Sequence, residues 1–210
     1  MHDDHGNGHG HHHDDHDASS PEIRVEALED LLVAKGLVDP ERIDATIRHF
    51  EHDIGPMIGA RLVAQAWTDP ALRQRLLTEA DAVVADMDIR GAEIEHIEVK
   101  ANEAGVHNVV VCTLCSCYPW ALLGLPPNWY KSPEYRARVV REPRAVLAEM
   151  GLELETDTEV RIWDSSSETR FLVLPERPAG TDGWPAERLA ELVTRDSMIG
   201  VARAAQPDNQ

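Results

Sequence analysis

The chain has 210 residues, 42% of them hydrophobic, and a formal charge of −18 from 38 acidic and 20 basic residues. That suits one domain of ordinary size with an appendage, or two small units. The charge makes nucleic acid and anionic membrane poor partners; no apolar run reaches the ~18 residues of a membrane span, and the N-terminus lacks the regions of a secretory signal.

Residues 2–17, HDDHGNGHGHHHDDHD, hold seven of the eleven histidines, interleaved with aspartate. They contain no apolar residue and cannot build a core. Residues 1–19 are therefore expected to be a disordered tail, either merely solvated or a weak binder of divalent metal. Residues 20–86 read as helices. Ser20-Pro21 supplies an N-cap and a proline at the first helical position. Ile23, Ala27, Leu28, Leu31 and Leu32 follow at helical spacing, up to a stop at Gly36. Asp39-Pro40 opens a second helix, with Ile43, Ile47 and Phe50 on one face, and Gly55-Pro56 breaks it. A third helix is predicted from Met57 to Trp67. A fourth starts at Asp69-Pro70, with Leu72, Leu76 and Leu77 on its apolar side. Such narrow stripes need cover, so residues 20–90 are expected to form an extended arm on another surface; a self-contained helical bundle is the alternative.

Beyond residue 90 the pattern changes. Strands are predicted at His96–Ala101, His107–Cys112, Glu159–Asp164 and Arg170–Pro175. Helical segments fall between them at about 133–150 and after them at about 185–195. This mixture predicts a layered α+β or α/β domain over 91–203, followed by a short tail at 204–210. No internal repeat is present.

All three cysteines, Cys112, Cys115 and Cys117, lie in VVVCTLCSCYPW (Val109–Trp120). An odd number so closely spaced argues against a disulfide scaffold. It favours metal or redox chemistry in a reducing compartment, and hence a cytoplasmic location. A zinc site lacks a second ligand pair, with His107 the available fourth ligand. A four-iron cluster lacks a fourth cysteine, and a redox C-x-x-C leaves Cys117 unexplained. The Cys115-Ser116-Cys117 step admits a further arrangement. The deprotonated amides of Ser116 and Cys117 can share a plane with the two sulfurs, with Cys112 on the axis and a sixth position open. That would be a Lewis-acid site for a small, highly charged ion such as Co(III) or Fe(III). The geometry permits this without demanding it.

VCTLCSCYPW followed by LGLPPNWYKSPEYRARVVREPRAVL (Leu123–Leu147) resembles the α subunit of nitrile hydratase. So do EHDIGPMIGARLVAQAWTDP (Glu51–Pro70), RIWDSSSETRFLVLPERPAGTDGW (Arg161–Trp184) and LVTRDSMIGV (Leu192–Val201). The resemblance covers about residues 20–203. It implies an α+β fold: an extended N-terminal helical arm followed by a layered α-β-β-α domain carrying a metal claw. It implies hydration of a small nitrile to an amide.

By resemblance, Cys112 is the axial thiolate, Cys115 becomes a sulfinic acid and Cys117 a sulfenic acid. The backbone nitrogens of Ser116 and Cys117 complete the metal's ligands, and Cys115, Ser116 and Cys117 carry the catalysis. Thr113 and Tyr118 go with a low-spin, non-corrin Co(III), one per chain, in preference to Fe(III). Tyr118 and Trp120 would line the substrate pocket, and Asp164, Glu168 and Arg170 would stand behind the claw. The run Arg136, Arg138, Arg141 and Arg144 reads as an interface or ion-pair face. The implied partners are a β subunit, in an αβ heterodimer that pairs into α2β2, and an activator protein that inserts cobalt. The family often carries a glutamine ahead of the strand leading to the claw; here Glu93 is nearest. The γ subunit of thiocyanate hydrolase, with the same claw and fold, is the first alternative. A non-catalytic metal-storage or delivery protein, suggested by the histidine tail, is the second.

Overall fold

A computed structural model describes residues 20–50, 55–87 and 96–207. The expected N-terminal tail, residues 208–210 and Glu93 lie outside the described residues. Two compact units divide between Ile47 and Arg48.

In the first unit, α1 (Pro21–Ala34) starts as its sequence asks. The Ser20 hydroxyl accepts the Ile23 amide at 3.4 Å, and Pro21 occupies a position whose missing N–H would have had no helical partner. Gly36, at φ 65°, closes it. α2 (Pro40–Arg48) is opened by Asp39, whose carboxylate accepts the Glu41 amide at 3.0 Å. Val25, Leu28 and Leu31 of α1, and Leu37 after it, are exposed.

The second unit begins with α3 (Met57–Thr68), α4 (Pro70–Thr78) and α5 (Ala80–Asp86). Asp69 caps α4 by accepting the Ala71 and Leu72 amides. Leu62, Val63, Ala64 and Leu76 are fully buried, so the apolar stripes of α3 and α4 are covered within their own unit. β1 (His96–Ala101) pairs in parallel with β4 (Thr169–Leu174), and β2 (Val106–Val111) in parallel with β3 (Glu159–Asp164). Between β2 and β3 come α6 (Trp120–Leu123), α7 (Asn128–Lys131), α8 (Pro133–Arg141) and α9 (Pro143–Glu149); α10 (Ala186–Ala190) and α11 (Arg195–Ile199) follow β4. The single helix expected at 133–150 is broken at Pro143. Its ring lacks an N–H and pushes Glu142 out of the helical region, to φ −138° and ψ 56°.

Helices clothe these two small sheets: α4 and α5 lie on β1, α9 on β3, and α11 against both β2 and β4. The architecture is α+β. No helix among the described residues is long and apolar enough to cross a membrane.

Two features position the end of β2. Its valines, Val109 to Val111, are buried, as suits β-branched residues in a covered strand. Gly200 ends α11 at φ 91° directly on the β2 backbone, where a Cβ would fall 2.0 Å from the Asn108 carbonyl oxygen. His107 ties the same junction. Its Nε2 donates to the Gly200 carbonyl at 2.7 Å, and its Nδ1 accepts from Asn102 at 3.2 Å. Burial lowers its pKa and keeps it neutral. His107 lies five residues down the strand from Cys112, ~16 Å away, so the zinc reading that needed it as a fourth ligand is excluded.

Candidate metal centre

Parallel pairing puts the C-terminal ends of β2 and β3 side by side, with Val111 opposite Asp164. The chain leaves β2 at Cys112 and turns back over the strand end. Asp164, the last residue of β3, grips that turn. Its carboxylate accepts the Thr113 amide at 2.9 Å and the Thr113 hydroxyl at 2.6 Å.

The turn gathers the three sulfurs. Cys112 and Cys115 Sγ lie 3.4 Å apart, Cys115 and Cys117 Sγ 3.2 Å apart, and all three within 4.8 Å of one another. Around one ion with metal–sulfur bonds of about 2.3 Å, sulfurs at right angles are ~3.3 Å apart and sulfurs at the tetrahedral angle ~3.8 Å. The observed separations match the right-angled case, so the donor set fits a square or octahedral ion better than tetrahedral zinc. The Ser116 and Cys117 amides lie in the same turn, in the stretch of chain that joins the Cys115 and Cys117 thiols, and the Cys115 amide donates to Cys112 Sγ at 3.3 Å. The three sulfurs thus converge on one point of the turn.

Exposure grades the thiols. Cys112 is 1% exposed, Cys117 half-buried and Cys115 open. Hydrogen bonds from the Cys117 and Cys112 thiols bring the Cys115 pKa down to about 7, so it ionises first. Burial, and then the neighbouring Cys115, push Cys117 up to about 12. Only a strong positive charge would make all three thiolates at once, and a bound metal ion is such a charge.

Beneath the claw lies an aromatic floor. Tyr130 on α7 donates to the Cys117 carbonyl at 2.9 Å, and Tyr135 on α8 to the Val110 carbonyl at 2.7 Å. Burial raises the pKa of both, so they stay protonated donors. Arg136 on α8 donates through Nη1 to the Cys115 carbonyl at 3.2 Å. Beside the claw opens a cavity of about 540 Å³, lined by Ser116, Trp120, Leu125, Pro126, Asn128 and Arg195 among others.

Residues 19–202 match the family described as "Nitrile hydratase, alpha chain". The chain belongs to this family. It is 55% identical over 184 residues to the low-molecular weight cobalt-containing nitrile hydratase subunit alpha of Rhodococcus rhodochrous, covering 88% of this chain and 89% of that one. It is 53% identical to the cobalt-containing subunit alpha of Pseudonocardia thermophila, covering 86% and 89%. The thiocyanate hydrolase subunit gamma of Thiobacillus thioparus is 42% identical, covering 89% and 81%. Among solved structures, a double mutant of Fe-type nitrile hydratase from Comamonas testosteroni Ni1 superposes with a TM-score of 0.80 at 42% identity, covering 89% of this chain and 91% of that one.

Of the positions that the nitrile hydratase resemblance assigned, the structure brings Cys112, Cys115, Ser116 and Cys117 together, and it places Ser116 and Trp120 on the cavity. Tyr118 is elsewhere. It is buried below the claw, edge-on to Tyr130 at 5.2 Å between ring centroids, with its hydroxyl lacking a well-formed hydrogen bond beside the Arg195 guanidinium. Asp164 stands directly behind Thr113. Arg170 lies near enough for its charge to draw the Cys117 pKa down, and it donates to the Ser166 carbonyl. Glu168 is exposed in the β3–β4 turn, where its backbone N–H donates to the Ser166 hydroxyl. The basic run divides: Arg138 pairs with Glu142 and Glu149, Arg144 donates to carbonyls of the loop before β3, and Arg136 reaches the claw. Arg136, Tyr130 and Tyr135 are contacts that sequence reasoning missed. The one signal was a basic and aromatic run downstream of the claw.

Proposed function

We propose that this chain is the metal-bearing α subunit of a cobalt nitrile hydratase, adding water to R–C≡N to give R–C(O)NH2. The observation that carries the reading is the set of thiol contacts at right-angle spacing, supported by kinship with α subunits named cobalt-containing. Cys112, Cys115 and Cys117 would hold the ion by sulfur, and Ser116 and Cys117 by backbone nitrogen. When bound, Co(III) supplies Lewis acidity. The chain's residues do the rest. Cys112 anchors the claw to the rigid end of β2, and Asp164 fixes Thr113. Trp120, Leu125 and Pro126 offer an apolar wall to the organic end of a nitrile and exclude water. Cys115 and Cys117, the two accessible thiols, are the ones positioned to take up oxygen, as sulfinic and sulfenic acid; Cys112 stays a thiolate. The exposed apolar residues of α1, together with Leu114 at 88% exposure in the claw turn, suit cover by a β subunit in the cytoplasm. An activator protein would insert the cobalt.

Co-expression with β subunit and activator should give about one cobalt per chain and turnover of acrylonitrile. Peptide mass spectrometry should find oxygen on Cys115 and Cys117 but not on Cys112. Zinc, or iron at full occupancy, would overturn the metal assignment. Hydrolysis of thiocyanate in place of acrylonitrile would move the chain to the thiocyanate hydrolase reading, which the 42% identical relative keeps as the second choice.

A further inference from the structure

We propose that Arg136 is a positioning residue of the claw: from α8 it holds the Cys115–Ser116 peptide and balances the charge that this peptide carries when the claw is loaded. The inference rests on the cobalt-claw reading above.

The contact is solvent-exposed, but the atom it addresses is specific. Arg136 Nη1 donates to the Cys115 carbonyl oxygen at 3.2 Å. That oxygen belongs to the same peptide unit as the Ser116 nitrogen, one of the two backbone donors of the claw. A peptide whose nitrogen binds a metal shares its negative charge with its carbonyl oxygen, because the unit is conjugated. A guanidinium on that oxygen is therefore placed to stabilise the ligand form. It also fixes the plane of the peptide, and so the direction in which the Ser116 nitrogen points. Among the described residues, the other carbonyl in the claw with a side-chain donor is that of Cys117, held by Tyr130. That oxygen belongs to the peptide leading to Tyr118, whose nitrogen is not a claw donor. Arg136 and Tyr130 thus do different things: one addresses a ligand peptide, the other the exit of the turn.

Two further observations support the assignment. The Nε–H of Arg136 is buried without a hydrogen-bond acceptor among the described residues. Among the described residues no carboxylate pairs with Arg136, and its guanidinium is directed to the Cys115 carbonyl instead. Its neighbour on the same helix, Arg138, does pair with carboxylates, making bidentate contact with Glu149 and a further bond to Glu142. The element that carries Arg136 is also well fixed: Ser132 caps α8 by accepting the Tyr135 amide at 3.1 Å, and the Tyr135 hydroxyl ties the helix to β2 at Val110. The helix that carries the arginine is thus tied to the strand that leads to Cys112.

The test uses the full αβ enzyme matured with its activator under limiting cobalt. Cobalt per chain is measured by elemental analysis, and the sulfur-to-metal absorption band is recorded. Arg136→Ala should lower cobalt occupancy about tenfold, as loss of an outer hydrogen bond to a metal ligand does, and should shift the band. Arg136→Lys, which keeps the charge but not the fork, should recover part of both. Arg138→Ala should match the wild type. If Arg136→Ala disturbs folding, judged by circular dichroism and co-purification with β, Arg136→Gln keeps the packed stem and is read in its place. Wild-type occupancy with an unshifted band in Arg136→Ala or Arg136→Gln overturns the proposal while leaving the cobalt reading intact. A wild-type enzyme that takes up no cobalt removes both.

Discussion

Asp164→Ala cuts the one side-chain tie between β3 and the claw turn among the described residues, and its effect can be worked through from the contacts. The carboxylate accepts two hydrogen bonds from Thr113, at 2.9 and 2.6 Å. Buried bonds to a charged group contribute roughly 1.5–3 kcal/mol each, but Asp164 and Thr113 are exposed and water competes for both, so about 1–2 kcal/mol for the pair is reasonable. That energy resists local opening of the turn, not global unfolding. Cys112 is 1% exposed and can meet a thiol reagent only when the turn opens, whereas Cys115 is already open. In the metal-free αβ complex, a thiol reagent should therefore label Cys112 roughly 5–30-fold faster in Asp164→Ala than in wild type, since every 1.4 kcal/mol is about tenfold. Labelling of Cys115 should stay the same and serve as the internal reference, with tandem mass spectrometry separating the sites. Asp164→Asn keeps an acceptor for the Thr113 amide and should fall between. A double-mutant cycle with Thr113→Ala should give a coupling of about 0.5–1 kcal/mol. Equal Cys112 labelling in Asp164→Ala and wild type would refute the idea that this contact closes the turn.

Gly200→Ala would place a Cβ 2.0 Å from a β2 carbonyl oxygen at a φ of 91°, and should destabilise the subunit by about 3–5 kcal/mol, read as a lower urea midpoint at unchanged slope. Burial holds the His107 pKa below its ordinary 6.5, so below that pH the unfolded chain binds the extra proton. Stability should therefore be complete above pH 6.5 and lost as pH falls through the lowered native value, a loss that His107→Gln should lessen in urea titrations at pH 7.5 and 5. Removing residues 2–17 should leave cobalt in the claw at full occupancy by elemental analysis, whereas a storage protein would lose most of its metal with them.

What the sequence made legible was local. Ser20-Pro21 and Asp69-Pro70 announce helix starts because a cap acts within three residues. The limits of β1 and β3 follow from the alternation and β-branched content of single segments. The claw itself was legible because C-x-x-C-x-C spacing already forces three thiols into one turn. Pro143 was equally local, yet the pattern at 133–150 was read through it as one helix; the physics of a proline that cannot accept a preceding helical residue carried more weight than the apolar spacing around it. The remainder depended on contacts between distant segments. Nothing in the strands states that β1 pairs with β4 and β2 with β3, although that pairing alone brings Asp164 to Thr113 across 51 positions. Tyr118 sits in a turn without periodicity, so its neighbours could not tell which way it points. It turned inward, onto Tyr130.

The role proposed for Arg136 turns on a contact of this kind. A chain of net charge −18 gathers three thiols at one strand end, beside the carboxylate of Asp164. Burial, and then the neighbouring Cys115, push the Cys117 pKa up, so that end resists ionisation of a second thiol. The chain answers with cations drawn from separate elements: Arg136 from α8 on the Cys115 carbonyl, Arg170 from β4 near Cys117, and Lys131 and Arg195 from α7 and α11 in the cavity wall. In sequence these four are scattered over 65 positions among ordinary surface charges. Only the fold brings them to the claw turn and the cavity beside it. The run that reads in sequence as an interface or ion-pair face thus contributes one member, Arg136, whose guanidinium reaches the claw turn.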